Sequence, residues 1–253
     1  MGATRGFGVD IGGSGIKGGE VDLADGKLVG ERVRIPTPHP ATPDAVADVV
    51  ARIVSGAGWT GPVGITLPAV IKKGTALTAA NIDKSWVDTD AAGLFAKRLG
   101  RGADGVTVLN DADAAGMAEI RFGWPGDQAG VVVLLTFGTG IGSALFLDGR
   151  LVPNTEFGHL EIDGHDAESR AAASAKEEED LSWSEWAVRV TRYISRLESL
   201  IWPDLIIVGG GVSKKADKWL PLLDVRTKVV AAELRNDAGI VGAAVAAALS
   251  AEG

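Results

Sequence analysis

The sequence predicts an α/β protein of two related lobes, and three observations predict it. Apolar runs of strand length alternate with helical patterns along the chain. The order of parts then repeats at an offset of about half the chain. Ser14-Gly15-Ile16-Lys17-Gly18 aligns with Thr139-Gly140-Ile141-Gly142-Ser143, and Asp25-Gly26-Lys27-Leu28-Val29 with Asp148-Gly149-Arg150-Leu151-Val152. Finally, 253 residues of which 46% are apolar suffice for one large domain or two smaller ones with a real core. Each lobe is expected to present a glycine-rich hairpin to a shared cleft.

Phe7 to Ile11 reads as a short apolar strand, followed by a glycine cluster and by strands Ile16 to Asp22 and Lys27 to Ile35, joined through the turn signal Asp25-Gly26. Thr42-Pro43 opens a helix, with Thr42 as N-cap and Val46, Val49, Val50 and Ile53 at helical spacing. Strand Val63 to Leu67, a helix from about Asp90 to Leu99, strand Val106 to Leu109 and a helix from about Asp113 to Phe122 complete the first half. The second half starts over with strands Val131 to Phe137, Ile141 to Leu147 and Arg150 to Val152. A long helix from about Trp183 to Ile201, a buried-type strand Leu205 to Val208 and an Ala-rich helix from Ala238 to Leu249 follow. Residues 1–109 are expected to form a small N-terminal lobe and 110–237 a large C-terminal one, with the helix in 238–253 packing back on the first.

Composition excludes several functions. Lys and Arg number 25 against 33 Asp and Glu, a net charge of −8, so no global positive field gathers nucleic acid or anionic lipid. Cysteine is absent, which removes disulfides, thiolate zinc sites and thiol nucleophiles. The uncharged stretch 129–147 reaches the length of a membrane span, but Gly138, Gly140, Gly142, Thr136, Thr139 and Ser143 interrupt it. Two strands around a polar turn are expected there, and a cytoplasmic protein with no membrane partner.

Five constellations can carry chemistry. In Asp10-Ile11-Gly12-Gly13-Ser14-Gly15-Ile16-Lys17 the glycines let backbone N–H groups approach an oxyanion, with Ser14 and Lys17 adding a hydroxyl and a charge. It lacks the Walker spacing, and a loosened hairpin with Lys17 in solvent is the plainer alternative. Thr136-Phe137-Gly138-Thr139-Gly140-Ile141-Gly142-Ser143 repeats the logic without a cation; together the two turns can grip one phosphate chain. Asn110-Asp111-Ala112-Asp113 stands where a strand ends and a helix begins, a place where a carboxylate can take a proton from a hydroxyl; Asp111 is assigned to chemistry and Asp113 to the helix cap. Asn154-Thr155-Glu156-Phe157-Gly158-His159-Leu160-Glu161, with Glu168 beyond, suits a polyhydroxylated ligand, although a lone His is more often a structural residue and Glu161 or Glu168 could simply be solvated. Gly209-Gly210-Gly211-Val212-Ser213-Lys214-Lys215, with Lys218 further on, lets a flat ligand pass near the backbone beside a local cation cluster. Three His without Cys give no zinc spacing.

In order, D-I-G-G-S-G-I-K, N-D-A-D-A-A, T-F-G-T-G-I-G, N-T-E-F-G-H and I-V-G-G-G-V-S resemble the sugar kinases of the repressor, open-reading-frame and kinase (ROK) family across nearly the whole chain. Within it the chain looks like the polyphosphate-using glucokinases of actinobacteria, through the runs 78–86, 170–174, 179–183 and 209–215. The resemblance implies an actin-like, ribonuclease-H-like two-lobed fold and phosphoryl transfer from polyphosphate, ATP or both to the 6-hydroxyl of glucose, with mannose as a possible second substrate. It implies Asp111 as general base, Asn110, Glu156 and His159 on the sugar, and Asn81 reaching it from the first lobe. Asp10 would orient Mg²⁺. Gly12, Gly13, Ser14, Gly15 and Lys17, with Thr136, Gly138, Thr139, Gly140 and Gly142, would cradle donor phosphates. Gly209, Gly210 and Gly211 would face adenosine, and Lys17, Lys84, Lys214, Lys215 and Lys218 are candidates for distal phosphates. Many relatives carry a cysteine-rich zinc motif ending in a sugar-binding Glu. Here no zinc is expected, and by chain order Glu168 takes that place.

A monomer or homodimer is expected, with a hexose and a polyanionic donor as partners. A sugar-sensing repressor of the same family is disfavoured by the charge and by the early position of Asp10, which leaves no room for a DNA-reading domain ahead of it. An actin-like ATPase would not need Glu156 and His159.

Overall fold

Strand pairing begins at the first glycine cluster. The computed structural model describes residues 4–124, 126 and 128–252. Strands β1 (Arg5–Ile11) and β2 (Ile16–Asp22) pair antiparallel from Arg5 opposite Asp22 to Ile11 opposite Ile16. The strand expected over 27–35 shortens to β3 (Val33–Ile35). Leu28 still bridges Val21 and the Val29 N–H donates to Glu20 O at 2.8 Å, but Gly30, at φ +81°, turns the chain off the ladder.

Helix α1 (Pro43–Gly56) starts at Thr42-Pro43 and buries Val46, Val49, Val50 and Ile53; the Thr42 side chain makes no capping bond. The wholly buried β4 (Val63–Leu67) pairs parallel with β1. A small sheet of β5 (Ile71–Lys72), β6 (Thr75–Ala76) and β7 (Thr89–Asp90) follows. Helix α2 (Ala91–Leu99) is capped by Asp90, whose carboxylate accepts the Gly93 N–H at 2.9 Å. Strand β8 (Val106–Asn110) pairs parallel with β4 and runs directly into α3 (Asp111–Ala118). The first sheet has the order β3-β2-β1-β4-β8.

The uncharged stretch 129–147 is two antiparallel strands, β9 (Val131–Phe137) and β10 (Ile141–Leu147), with β11 (Arg150–Val152) outside them. No helix among the described residues is long and apolar enough to cross a membrane. A hairpin of β12 (Glu161–Ile162) and β13 (His165–Asp166) leads to α4 (Glu168–Ala171) and α5 (Ala173–Glu178). Helix α6 (Trp183–Ile201) opens on a capping box in which Ser182 and Glu185 bond each other's backbone N–H. Strand β14 (Leu205–Gly210) pairs parallel with β9, and β15 (Lys228–Ala231) with β14. The second sheet therefore runs β11-β10-β9-β14-β15, the same order and sense as the first. The repeat in sequence is a repeat in topology. Helix α7 (Ala238–Glu252) closes the chain.

Contacts divide the chain into a unit of Met1–Phe122 with Asp237–Gly253 and a unit of Gly123–Asn236. The break falls later than the 109/110 boundary read from the sequence, because α3 packs on α7 and α7 on β1 and β4. Glycines make these approaches possible: a methyl at Gly8, Gly64 or Gly242 would fall inside the carbonyl groups of Ile240, Ala243 or Ala114. The second unit is filled differently, by α6 laying Trp186, Val190, Tyr193 and Leu197 onto its sheet. Phe137 meets Trp186, Tyr193 and Trp219 edge-on at 5.6, 6.3 and 6.0 Å between ring centres. Such pairs add about 0.5–1.5 kcal/mol each beyond area burial.

Candidate active site

Three parallel strands of the first unit, β1, β4 and β8, end side by side, and their C-terminal ends carry Asp10, Thr66 and Asn110-Asp111. Asp10 Oδ1 accepts the Thr66 hydroxyl at 2.9 Å, and its Oδ2 lies 3.4 Å from Lys17 Nζ. Gly239 gives this carboxylate room, since a methyl there would stand 2.8 Å from it. Thr66 also accepts the Ile11 N–H at 3.2 Å, so this fully buried hydroxyl ties β4 to the start of the glycine turn. Sequence reasoning missed it; the signal is one polar residue inside the apolar run Val63 to Leu67.

Asn110, not Asp113, caps α3: its Oδ1 accepts the N–H groups of Ala112 and Asp113 at 2.8 and 3.1 Å. The β-type backbone of Asn110 suits a cap, whereas Asp113 is already inside the first turn, 2% exposed. Asn110 Nδ2 donates to Ala69 O at 3.2 Å, so this side chain mainly fixes the strand end. Asp111 is the first helical residue and is partly exposed, with Oδ1 accepting the Ala112 N–H at 2.9 Å.

The first glycine turn closes on itself through Gly12 N–H to Gly15 O at 3.1 Å, while the Thr37 hydroxyl bonds Gly12 O at 2.5 Å. Among the described residues no hydrogen bond uses the amides of Gly13 or Ser14, which leaves them available to an anion. Arg34, also missed by the sequence reading, lies over the turn: Nη2 donates to Ser14 O at 3.1 Å, and a methyl on Gly15 would stand 2.7 Å from its guanidinium. Asn81 borders the same turn, its carbonyl 3.3 Å from where a Gly13 methyl would be.

The second turn closes likewise, Gly138 N–H to Gly140 O at 2.9 Å, and Ser174 braces it by donating N–H to Gly138 O at 3.1 Å and its hydroxyl to Thr139 O at 2.7 Å. The amides of Thr139 and Gly140 are unused among the described residues. Ser143, counted among the donor hydroxyls from sequence, is 2% exposed and structural: its Oγ donates to Thr155 O at 2.6 Å and accepts the Phe157 N–H at 2.9 Å. Thr136 lies opposite Gly142 in β10 and Gly209 in β14. The glycine triplet does not end its strand where expected, since β14 runs on through Gly210, whose φ of +82° and close approach to the Phe137 carbonyl admit only glycine. Gly211, Lys214 and Lys215 follow, all exposed, in a 3₁₀ segment that ends at Lys218.

Beside the second turn stand the sugar candidates. Glu168 Oε2 accepts the Ile141 N–H at 3.0 Å, so its carboxylate is seated on the turn itself. His159, in the 3₁₀ turn Phe157–His159, places Nδ1 2.9 Å from Asp166 Oδ2 and 3.9 Å from Glu168 Oε1. The Asp166 bond, with the charges of Glu168 and Glu156 adding, raises the His159 pKa above its ordinary value despite some desolvation. Partial burial raises that of Glu156, with Glu168 pushing the same way and His159 opposing. Asp166 was missed, though Asp163-Gly164, both at positive φ, is a hairpin signal that folds it back towards His159.

The strand order and the strand-end carboxylates define the class. The chain belongs to the ROK family, whose family model matches residues 6–172. It is 58% identical over 242 residues to a polyphosphate glucokinase of Mycobacterium tuberculosis, covering 96% of this chain and 91% of that one. Among solved structures it is similar to an inorganic polyphosphate/ATP-glucomannokinase from an Arthrobacter species, at 54% identity and a TM-score of 0.91 over 98% of this chain and 99% of the other. A ROK family glucokinase from Streptomyces griseus, solved with glucose and AMPPNP, matches at 26% identity and a TM-score of 0.82 over 98% and 100%.

Proposed function

We propose that the chain is a kinase that transfers a phosphoryl group from inorganic polyphosphate or ATP to the 6-hydroxyl of glucose, and accepts mannose as well. The observation that carries this reading is the bond from Ile141 N–H to Glu168, which makes the hydroxyl-binding cluster and a phosphate-type glycine turn parts of one structure. Similarity at 58% and 54% identity to a polyphosphate glucokinase and a polyphosphate/ATP-glucomannokinase supports it.

In this reading Glu156, His159 and Glu168 take hexose hydroxyls as acceptors, with Asn81 and the remaining Nδ2 proton of Asn110 as further contacts. Asp111 removes the O6 proton as O6 bonds the terminal phosphorus in line and the bond to the rest of the donor breaks. The open amides of both turns, with Lys17, Lys214 and Lys215, hold donor oxygens, and Gly209, Gly210 and Gly211 leave space beside adenosine. Magnesium fits the donor set at Asp10, where one carboxylate is held by Thr66 in a site that donor phosphates would complete. Bound there, the ion would neutralise charge on the transferring group.

A coupled assay offering glucose or mannose with ATP or polyphosphate tests the reading. Sugar-dependent consumption of both donors is expected, whereas ATP consumption without sugar, or sugar binding without turnover, would overturn it.

A further inference from the structure

His159 ends a short 3₁₀ turn and is exposed, so little packing fixes its ring. One carboxylate hydrogen-bonds to it. Asp166 Oδ2 stands 2.9 Å from Nδ1, while Asp166 Oδ1 accepts the Glu168 N–H at 3.2 Å and the Asp166 carbonyl accepts the Ser169 hydroxyl at 2.6 Å. Asp166 is itself anchored: it faces Glu161 across the β12–β13 hairpin, and the next residue, Ala167, donates its N–H to Leu160 O at 2.9 Å. One side chain thus joins the imidazole to the segment that carries Glu168.

An ionised carboxylate only accepts hydrogen bonds, so Nδ1 must carry the proton in the neutral ring and Nε2 is left bare. We propose that Asp166 is the positioning residue for His159, holding the imidazole by Nδ1 so that Nε2 is the atom offered to a hexose hydroxyl. The inference rests on the reading that His159 touches the sugar. Three carboxylates face the ring, those of Asp166, Glu168 and Glu156, and among the described residues only Asp166 hydrogen-bonds to it. Glu168 is occupied by the Ile141 N–H, and Glu156 acts on the ring through charge alone. Asp166→Asn keeps an oxygen that can accept the Glu168 N–H, so it releases the ring while leaving the bond of Glu168 to the Ile141 N–H in place.

The test is Asp166→Asn, with Asp166→Glu as rescue and His159→Ala as reference. Ring ¹⁵N and ¹³C shifts of His159 are followed by NMR against pH in the free protein, and glucose KM and kcat are measured beside them. His39 and His165 serve as internal controls. Asp166→Asn should lower the His159 pKa, mix its tautomers and raise the glucose KM roughly tenfold, as loss of one hydrogen bond to a charged group does, with kcat changed far less. Asp166→Glu should recover part of both effects. An unmoved His159 titration overturns the inference. So does a moved titration with unchanged KM when His159→Ala raises KM. If His159→Ala itself leaves KM unchanged, the hexose-binding role of His159 fails instead and takes the inference with it.

Discussion

The two units share one strand order, yet their glycine turns carry opposite charge. Lys17 and the Arg34 guanidinium stand at the first turn, and the Glu168 carboxylate is seated on the second. Each turn closes on an internal backbone bond, Gly12 N–H to Gly15 O in the first and Gly138 N–H to Gly140 O in the second, and leaves amides open, so the repeated fold offers two glycine turns that side chains make unequal. A carboxylate beneath a phosphate cradle weakens it by like-charge repulsion, whereas the same carboxylate is a good acceptor for sugar hydroxyls. If the proposed function holds, the difference makes the first turn the stronger grip on the donor and sets the second beside the sugar.

The largest effect that bears on this division is at Asp111. Replacing it by Ala should lower kcat roughly a hundred- to ten-thousand-fold while glucose binding, followed by calorimetry, persists; near-normal turnover would move the chemistry away from the first unit. Next comes packing. Gly64→Ala forces a methyl into the Ala243 carbonyl and should cost about 1–3 kcal/mol in urea unfolding; the second unit has glycine seats of the same kind, Gly158 against the Ile141 carbonyl and Gly210 against that of Phe137, and its aromatic core is in addition open to damage by truncation, as in Trp186→Ala.

A roughly tenfold effect should separate the turns directly. Lys17→Ala should raise the KM for polyphosphate and ATP with little change for glucose, and Glu168→Gln should raise the KM for glucose with no loss for either donor. Equal effects on both substrates would erase the distinction.

The smallest effect is in pH. Because His159 titrates above its ordinary value in the fold, the stability of its charged pairing with Asp166 is fully present below pH about 6.5 and fades as pH rises through the folded value. The melting temperature of the Asp166→Asn variant should accordingly trail the parent most at acid pH and converge with it in alkali. Constant separation across the range would assign Asp166 a purely steric part.

The architecture was legible because it rests on periodicity and repetition. Strands 16–22, 63–67, 131–137 and 141–147 and the helix 183–201 form where alternation, turn signals and caps place them. What escaped was set by contacts distant in sequence. Nothing local says that Thr66 reaches across to Asp10, that Arg34 folds over Ser14, or that Ser143 is consumed by the 155–157 segment. The cap of α3 was misassigned for a local reason: Asn110 and Asp113 are both good caps, and only the backbone angles decide between them. Glu168 was placed by order along the chain alone, and its seat on Ile141 was not foreseeable without the intervening hairpin.

The return of α7 to the first sheet has a consequence for biosynthesis. The glycine-lined seat on β1 and β4 stays empty until the ribosome has delivered α7, so the strands made before it wait with an apolar face uncovered. Residues 123–236, by contrast, hold both edges of their own sheet and every aromatic of their core in one uninterrupted span. The second unit is thereby one continuous stretch of chain, while the first needs a helix from beyond that stretch to cover its sheet.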